Sequence, residues 1–196
     1  MRRRAAVLAA PLLAALLLLT GCTQAGPQGG PGDVQKVAGD GVAGIDQWKD
    51  PSSQVVDFSG RTPDGTTITS KQYRGKVVVV NFWYASCPPC IAEAPTLSSL
   101  ATEYKGDVQF VGVNVSDDAD TTALFERNHK TPYPSVVDQD GGASVQLAFA
   151  QVKPPKAVPS TFVLDRKGRV TARMVGLANK SNLNQLIEDA LDGTAK

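Results

Sequence analysis

The chain is sparing with the residues that most often carry chemistry. Its 196 residues include three cysteines and a single histidine. Three cysteines cannot frame a disulfide-stapled scaffold, so a close-spaced pair among them is either the functional centre or a local clip. The lone His129 ends a charged helical stretch and reads as a surface residue, not as a metal ligand or a base. Beyond the first four residues Lys and Arg nowhere gather into a patch, which removes nucleic acid from the partners to consider. Beyond Leu19 no apolar run is long enough to cross a bilayer. No internal repeat is present.

The one long apolar stretch lies at the start. Arg2-Arg3-Arg4 precedes Ala5 to Leu19, which only Pro11 interrupts. That length is short for a span and has the layout of a secretory signal. The arginines alone are weak evidence for twin-arginine export. The stretch closes on Leu19-Thr20-Gly21-Cys22, which resembles a bacterial lipobox. On that reading residues 1–21 are a lipoprotein signal peptide and Cys22 is acylated as the first mature residue. The protein is then lipid-anchored at the extracytoplasmic face of the cell membrane. The alternative is a cleavable signal with an incidental cysteine. Without residues 1–21 the chain has 175 residues, one domain with room for a real core. Loss of three arginines leaves 17 basic against 19 acidic residues.

Residues 22–51 read as a flexible tether, opening in Gly, Pro and Gln without periodicity. A coil of about 30 residues has an r.m.s. reach of roughly 30 Å. A single domain is expected over 52–196. Val55–Phe58 and Thr66–Thr69 predict short strands about the turn Pro63-Asp64-Gly65. Val77–Phe82 has the near-continuous apolar run of a buried central strand. Pro88–Tyr104 reads as a helix kinked at Pro95, and Val108–Val113 as a second buried strand. Helices are expected at Thr121–His129 and Gly142–Ala150, then a hairpin of Ser160–Leu164 and Val170–Val175. Leu183, Leu186, Ile187, Ala190 and Leu191 share one face of a last helix, with Ser181 as candidate N-cap. The fold class is α/β: a central mixed sheet flanked by helices, with an N-terminal β-hairpin and a helical insert.

Within this order, Cys87-Pro88-Pro89-Cys90 follows a buried strand and opens a helix. The first sulfur then sits at a helix N-terminus, where unpaired N–H groups and the dipole favour a thiolate. That is the setting for thiol–disulfide exchange. The two prolines suit the first turn because they lack N–H groups, which leaves the amide of Cys90 as the main donor to Cys87. Cys87 reads as the exposed nucleophile, and Cys90, one turn inside, as the resolving thiol. Glu93 lies three residues beyond Cys90 on the same helix face. It is either a proton shuttle for Cys90 or a solvated carboxylate favourable to the dipole.

From Asp57 to about Leu191 the chain resembles the thioredoxin-like family of exported, membrane-tethered thiol–disulfide oxidoreductases, the TlpA-like and ResA-like proteins. The resemblance rests on DFSGRTPDGTTITSKQYRGKVVVVNFW, CPPCIAEAP, VQFVGVNVSDD and VPSTFVLDRKGRV, in that order. It implies a thioredoxin-like fold and exchange with exported protein thiols and disulfides. It also implies a membrane thiol electron carrier as partner, and neither cofactor nor metal. In ResA-like relatives a Glu at the position of Glu93 takes part in proton transfer. Pro159, in Val158-Pro159-Ser160-Thr161-Phe162, matches the family's cis-proline loop, which would present the Val158 backbone to a substrate chain. Trp83 opens the active-site loop and either packs beside the disulfide or belongs to the core. Tyr84 and Tyr133 are candidates to line a substrate groove. Two departures stand out. Ser86 occupies the position before the first cysteine where relatives usually carry an aromatic, which predicts a thinner apolar lid and a more exposed Cys87. Asn81 stands where cytosolic thioredoxins bury an Asp, and an amide moves no proton.

Relatives are often reductants, for example of apocytochrome c thiols in cytochrome c maturation, and the reading leans that way. An oxidant installing disulfides in secreted proteins would use the same residues. A copper chaperone would need a longer Cys–Cys spacing. A peroxidase would place Thr or Ser where Tyr84 stands.

Overall fold

A computed structural model describes residues 44–48, 51 and 54–193. Cys22 and the signal segment lie outside the described residues. Six strands form one sheet: β1 (Gly44–Gln47), β4 (Val77–Trp83), β5 (Val108–Asn114), β6 (Ser135–Val137), β7 (Ser160–Leu164) and β8 (Val170–Val175), in the order β1-β8-β7-β4-β5-β6. β4, β5 and β6 run parallel, while β7, β8 and β1 are added antiparallel. A separate hairpin pairs β2 (Ser59–Arg61) with β3 (Thr67–Thr69). The helices are α1 (Pro88–Glu103), α2 (Ala119–His129), α3 (Ser144–Ala150) and α4 (Lys180–Asp192), with a short 3-10 turn at Ser70–Tyr73.

β4 explains the architecture. Successive side chains of a strand point to opposite faces, and every residue of Val77–Trp83 is buried. Val77 and Val79 join Leu97, Leu100, Leu183 and Ile187 under α1 and α4. Val78, Val80 and Phe82 join Val56, Phe58, Ile68, Phe149 and Phe162 under the hairpin and α3. A strand covered on both faces cannot alternate, which is why its sequence is an apolar run broken only by Asn81. Among the described residues no helix is long and apolar enough to cross a membrane.

The structure departs from the sequence expectations at short elements. Of the tether expected over 22–51, residues 22–43 lie outside the described residues, and Gly44–Gln47 form a strand instead, pairing with Ala172–Val175 with Ile45 and Trp48 buried. Val55–Phe58 form no ladder. Val56 and Phe58 are buried, but their amides bond to Gly168 O and to Ser70 Oγ, and the strand begins at Ser59. β6 was not anticipated, being three residues long. Asn179, not Ser181, caps α4, its side chain accepting from the Asn182 amide. Pro95 lies within α1, which continues to Glu103.

Candidate active site

β4 ends at Trp83, and four residues later Cys87 is the N-cap of α1. Its backbone is extended and its Sγ accepts from the Cys90 amide at 3.2 Å. Pro88 and Pro89 occupy the first helical positions, so no earlier amide competes for the sulfur. Cys87 and Cys90 are joined in a disulfide, with Cα atoms 5.2 Å apart.

Both sulfur-bearing residues are covered. Cys87 is 1% exposed and Cys90 3%, which corrects the expectation of an exposed first cysteine. Trp83, Tyr84, Ala85, Phe125 and Val158 pack against them, so the apolar cover is not thinned by Ser86. The Val158–Pro159 peptide is cis, and Pro159 O accepts from the Gly176 amide at 2.8 Å. The sequence-predicted loop is therefore brought to the cysteines, Val158 in contact with their cluster.

Glu93 is 1% exposed, which removes the solvated alternative. Its Oε1 accepts from Asn81 Nδ2 at 2.7 Å and its Oε2 from the Ala178 amide at 2.7 Å. Asn81 Nδ2 also donates to Thr161 Oγ1 at 3.0 Å. The carboxyl thus joins α1 to β4, β7 and the loop before α4. Burial pushes its pKa up to about 7, against the opposing pull of the Ala178 and Asn81 hydrogen bonds. A carboxyl titrating near neutrality, one helical turn from Cys90, suits proton exchange with a thiol.

Trp83 belongs to the site and to the core at once. Its ring centroid lies 4.3 Å from that of Phe125, which in turn lies 4.1 Å from His129. His129 is half-buried in this stack, more enclosed than the surface residue expected. Sequence reasoning missed Asp117. Its Oδ2 accepts from the Ala85 amide at 2.6 Å and from Asn114 Nδ2 at 2.8 Å, fastening the loop that leads to Cys87. The signal available was an acidic pair separated by two residues from the end of a buried strand. Tyr133 lies with Asn81, Trp83 and Cys90 around a small cavity. Among the described residues no group of three or more His, Cys, Asp or Glu is placed to hold a metal ion.

The family described as Redoxin matches residues 51–187. The chain belongs to the Redoxin family. It is 30% identical over 137 residues to the thiol-disulfide oxidoreductase ResA of Geobacillus thermodenitrificans, covering 69% of this chain and 75% of that one. Among solved structures it resembles a thiol:disulfide interchange protein of the thioredoxin family from Chlorobium tepidum. There the TM-score is 0.64 and the identity 26%, over 72% of this chain and 97% of that one. It also resembles a secreted Mycobacterium tuberculosis disulfide oxidoreductase, with TM-score 0.57 and 25% identity over 68% of this chain and 96% of that one. The fold of this Redoxin protein is thioredoxin-like, and the enzyme is a thiol–disulfide oxidoreductase.

Proposed function

We propose that this enzyme works outside the cytoplasm, held to the membrane by lipid on Cys22, and reduces disulfides in exported proteins. The observation that carries the reading is the Cys87–Cys90 disulfide at the start of α1, with the Cys90 amide directed at Cys87 Sγ. Cys87 is the nucleophile. Once reduced, its thiolate is stabilised by that amide and by the helix N-terminus, and it attacks the partner's disulfide. Cys90 then attacks Cys87 of the mixed disulfide and releases the partner. Val158, beside the cis-Pro159, offers its backbone to the partner chain. Glu93 exchanges the proton of Cys90. Trp83 and Val158 wall the sulfurs, so docking of a partner must displace part of that cover.

Partners are exported protein thiols and disulfides, with a membrane thiol carrier supplying electrons. Cytochrome c maturation is the leading setting, supported by likeness to ResA. The test is insulin reduction. Cys87→Ser abolishes it, and Cys90→Ser accumulates mixed disulfides on non-reducing gels; full activity in both variants would sink the assignment. Equilibration with glutathione gives the direction. A potential well below about −200 mV marks a reductant, and one near about −120 mV an oxidant.

A further inference from the structure

Cys87 is shut off from solvent, yet its sulfur must meet that of a partner, so part of its cover has to leave. Most of the cover is fastened. Trp83 closes β4, and the ladder with β5 runs through it. Tyr84 and Ala85 lie on the loop that Asp117 ties down through the Ala85 amide. Val158 precedes the cis-Pro159, whose carbonyl accepts from the Gly176 amide. The remaining cover is Phe125 of α2.

α2 is lightly held. Of its 11 residues only Thr122 is buried, where α4 buries Leu183, Leu186, Ile187, Asp189 and Ala190. Of its two large apolar side chains, Leu124 is 50% exposed and Phe125 lies on the cysteine cluster. The bonds at its ends close within the segment itself. Asp118 Oδ1 accepts from the Thr121 amide, Asp118 O from the Thr122 hydroxyl, and Glu126 O from the Thr131 amide. Among the described residues no ion pair joins α2 to another element. Lys130 leaves the helix at φ 51°, a left-handed conformation costly to a residue with a side chain and common at switch segments.

The seam under α2 opposes closure. Glu126 Oε1 on the helix and Ser135 Oγ on β6 are buried without a hydrogen-bond partner among the described residues. A closed helix denies both oxygens the water they would otherwise bind, and an open one returns it. A concavity of about 730 Å³ also runs along α2 on the side of the β2–β3 turn. In favour of closure stands a ring contact, Phe125 against Trp83 with centroids 4.3 Å apart, backed by His129 at 4.1 Å from Phe125. Packing on one side and unmet hydration on the other are what a two-state element requires.

We propose that α2 is a gate over the redox pair and Phe125 its latch, which governs how readily Cys87 meets the sulfur of a partner. The inference rests on Cys87 being the nucleophile. Withdrawal of Phe125 bares Cys87 between Trp83 and Val158, while the fastened cover stays in place. It also opens the small cavity beside Cys90, in whose wall Phe125 stands.

The test is reduction of the disulfide-bonded full chain by dithiothreitol, followed by quenched alkylation. One dithiothreitol thiolate attacks Cys87 Sγ, and the Cys87–Cys90 bond breaks with the electron pair going to Cys90. The second dithiothreitol thiol then displaces Cys87 as a thiolate and closes the oxidised ring of the reagent. Phe125→Ala should speed this reaction about tenfold, the upper range for loss of one aromatic contact. Phe125→Leu, which keeps apolar bulk without the ring, should speed it about threefold. Hydrogen exchange gives a second readout: amides of α2 should exchange at least about tenfold faster than those of α4, and Phe125→Ala should quicken α2 alone. Phe125→Leu and exchange in the native chain decide the matter if the Ala variant does not fold. Native dithiothreitol rates in both variants of an insulin-reducing chain overturn the gate alone, as does α2 exchange no faster than that of α4. Equal quickening of α2 and α4 in Phe125→Ala also overturns it, since that marks general loosening. Insulin reduction surviving in Cys87→Ser overturns the gate and the assigned role of Cys87 together.

Discussion

At the scale of single residues, Glu93 is where burial and chemistry meet. Its carboxyl is enclosed by three elements and titrates near pH 7 because burial penalises the charged form. The folded-state pKa lies above the ordinary value of 4.5, so between these values the folded chain holds a proton that the unfolded chain has lost. Stability from this group is therefore complete below about pH 4.5 and is lost as pH rises through about 7. The shift corresponds to about 3 kcal/mol. Denaturant melts of the disulfide-bonded protein should show stability falling by about that amount between pH 5 and pH 8. In Glu93→Gln the fall should vanish, although the amide satisfies only one of the two donors at Asn81 and Ala178 and lowers stability at every pH. The same variant should slow release of partners from Cys87 and flatten the pH dependence of that step. A native slope persisting in Glu93→Gln would assign the titration to another group.

At the scale of elements, the active site is a loop pinned between a strand end and a helix start. The pattern of Val77–Trp83 followed by Cys87-Pro88-Pro89-Cys90 announces this junction, because burial on both faces leaves a strong apolar run and prolines fit only the first turn. The β4, β5, β7 and β8 strands and all four helices were legible for the same reason. Elements defined by pairing were not. Ser135–Val137 and Gly44–Gln47 owe their strand character to β5 and β8, and no local period reveals that. The cover on Cys87 was only partly legible: Trp83 and Val158 were expected beside the cysteines, but Phe125, far along the chain, was not. Asp117 belongs to the hidden class too. Through its bonds to the Ala85 amide and Asn114 it ties the loop after β5 to the approach to Cys87. Asp117→Ala leaves that amide without an acceptor and should cost about 1–3 kcal/mol. The freed loop should make Cys87 of the reduced protein more open to alkylation. Asp117→Asn, which keeps one acceptor oxygen, should lie between. An Ala variant with native melting temperature and native alkylation rate would show the tie to be idle.

At the scale of the whole molecule, the sheet joins the proposed tether to the fold at the edge remote from β6. β1 closes that edge on β8, and its Asp46 pairs with Arg173, which is 4% exposed. Arg173 also donates to Pro154 O at 2.8 Å, and Trp48 packs beside the pair with Lys153 Nζ 4.5 Å above its ring. The first described segment is thus held by a buried charge, an indole and one short ladder, while the cysteines lie nearer the middle of the sheet, beyond β4. This separation predicts that stability and chemistry part company. Removing Asp46 strands a guanidinium in the interior with a single carbonyl for compensation, and breaking a buried pair this way costs about 3–5 kcal/mol. Asp46→Ala should lower the melting temperature sharply. Asp46→Asn, still able to accept from Arg173, should lose less. Below its melting temperature the Ala variant should reduce insulin at the native rate per folded molecule, because β1 adds no residue to the cluster around Cys87 and Cys90 and no hydrogen bond to Glu93. A proportionate loss of both properties would mean that the edge strand transmits its order to the redox centre, and the separation would fail.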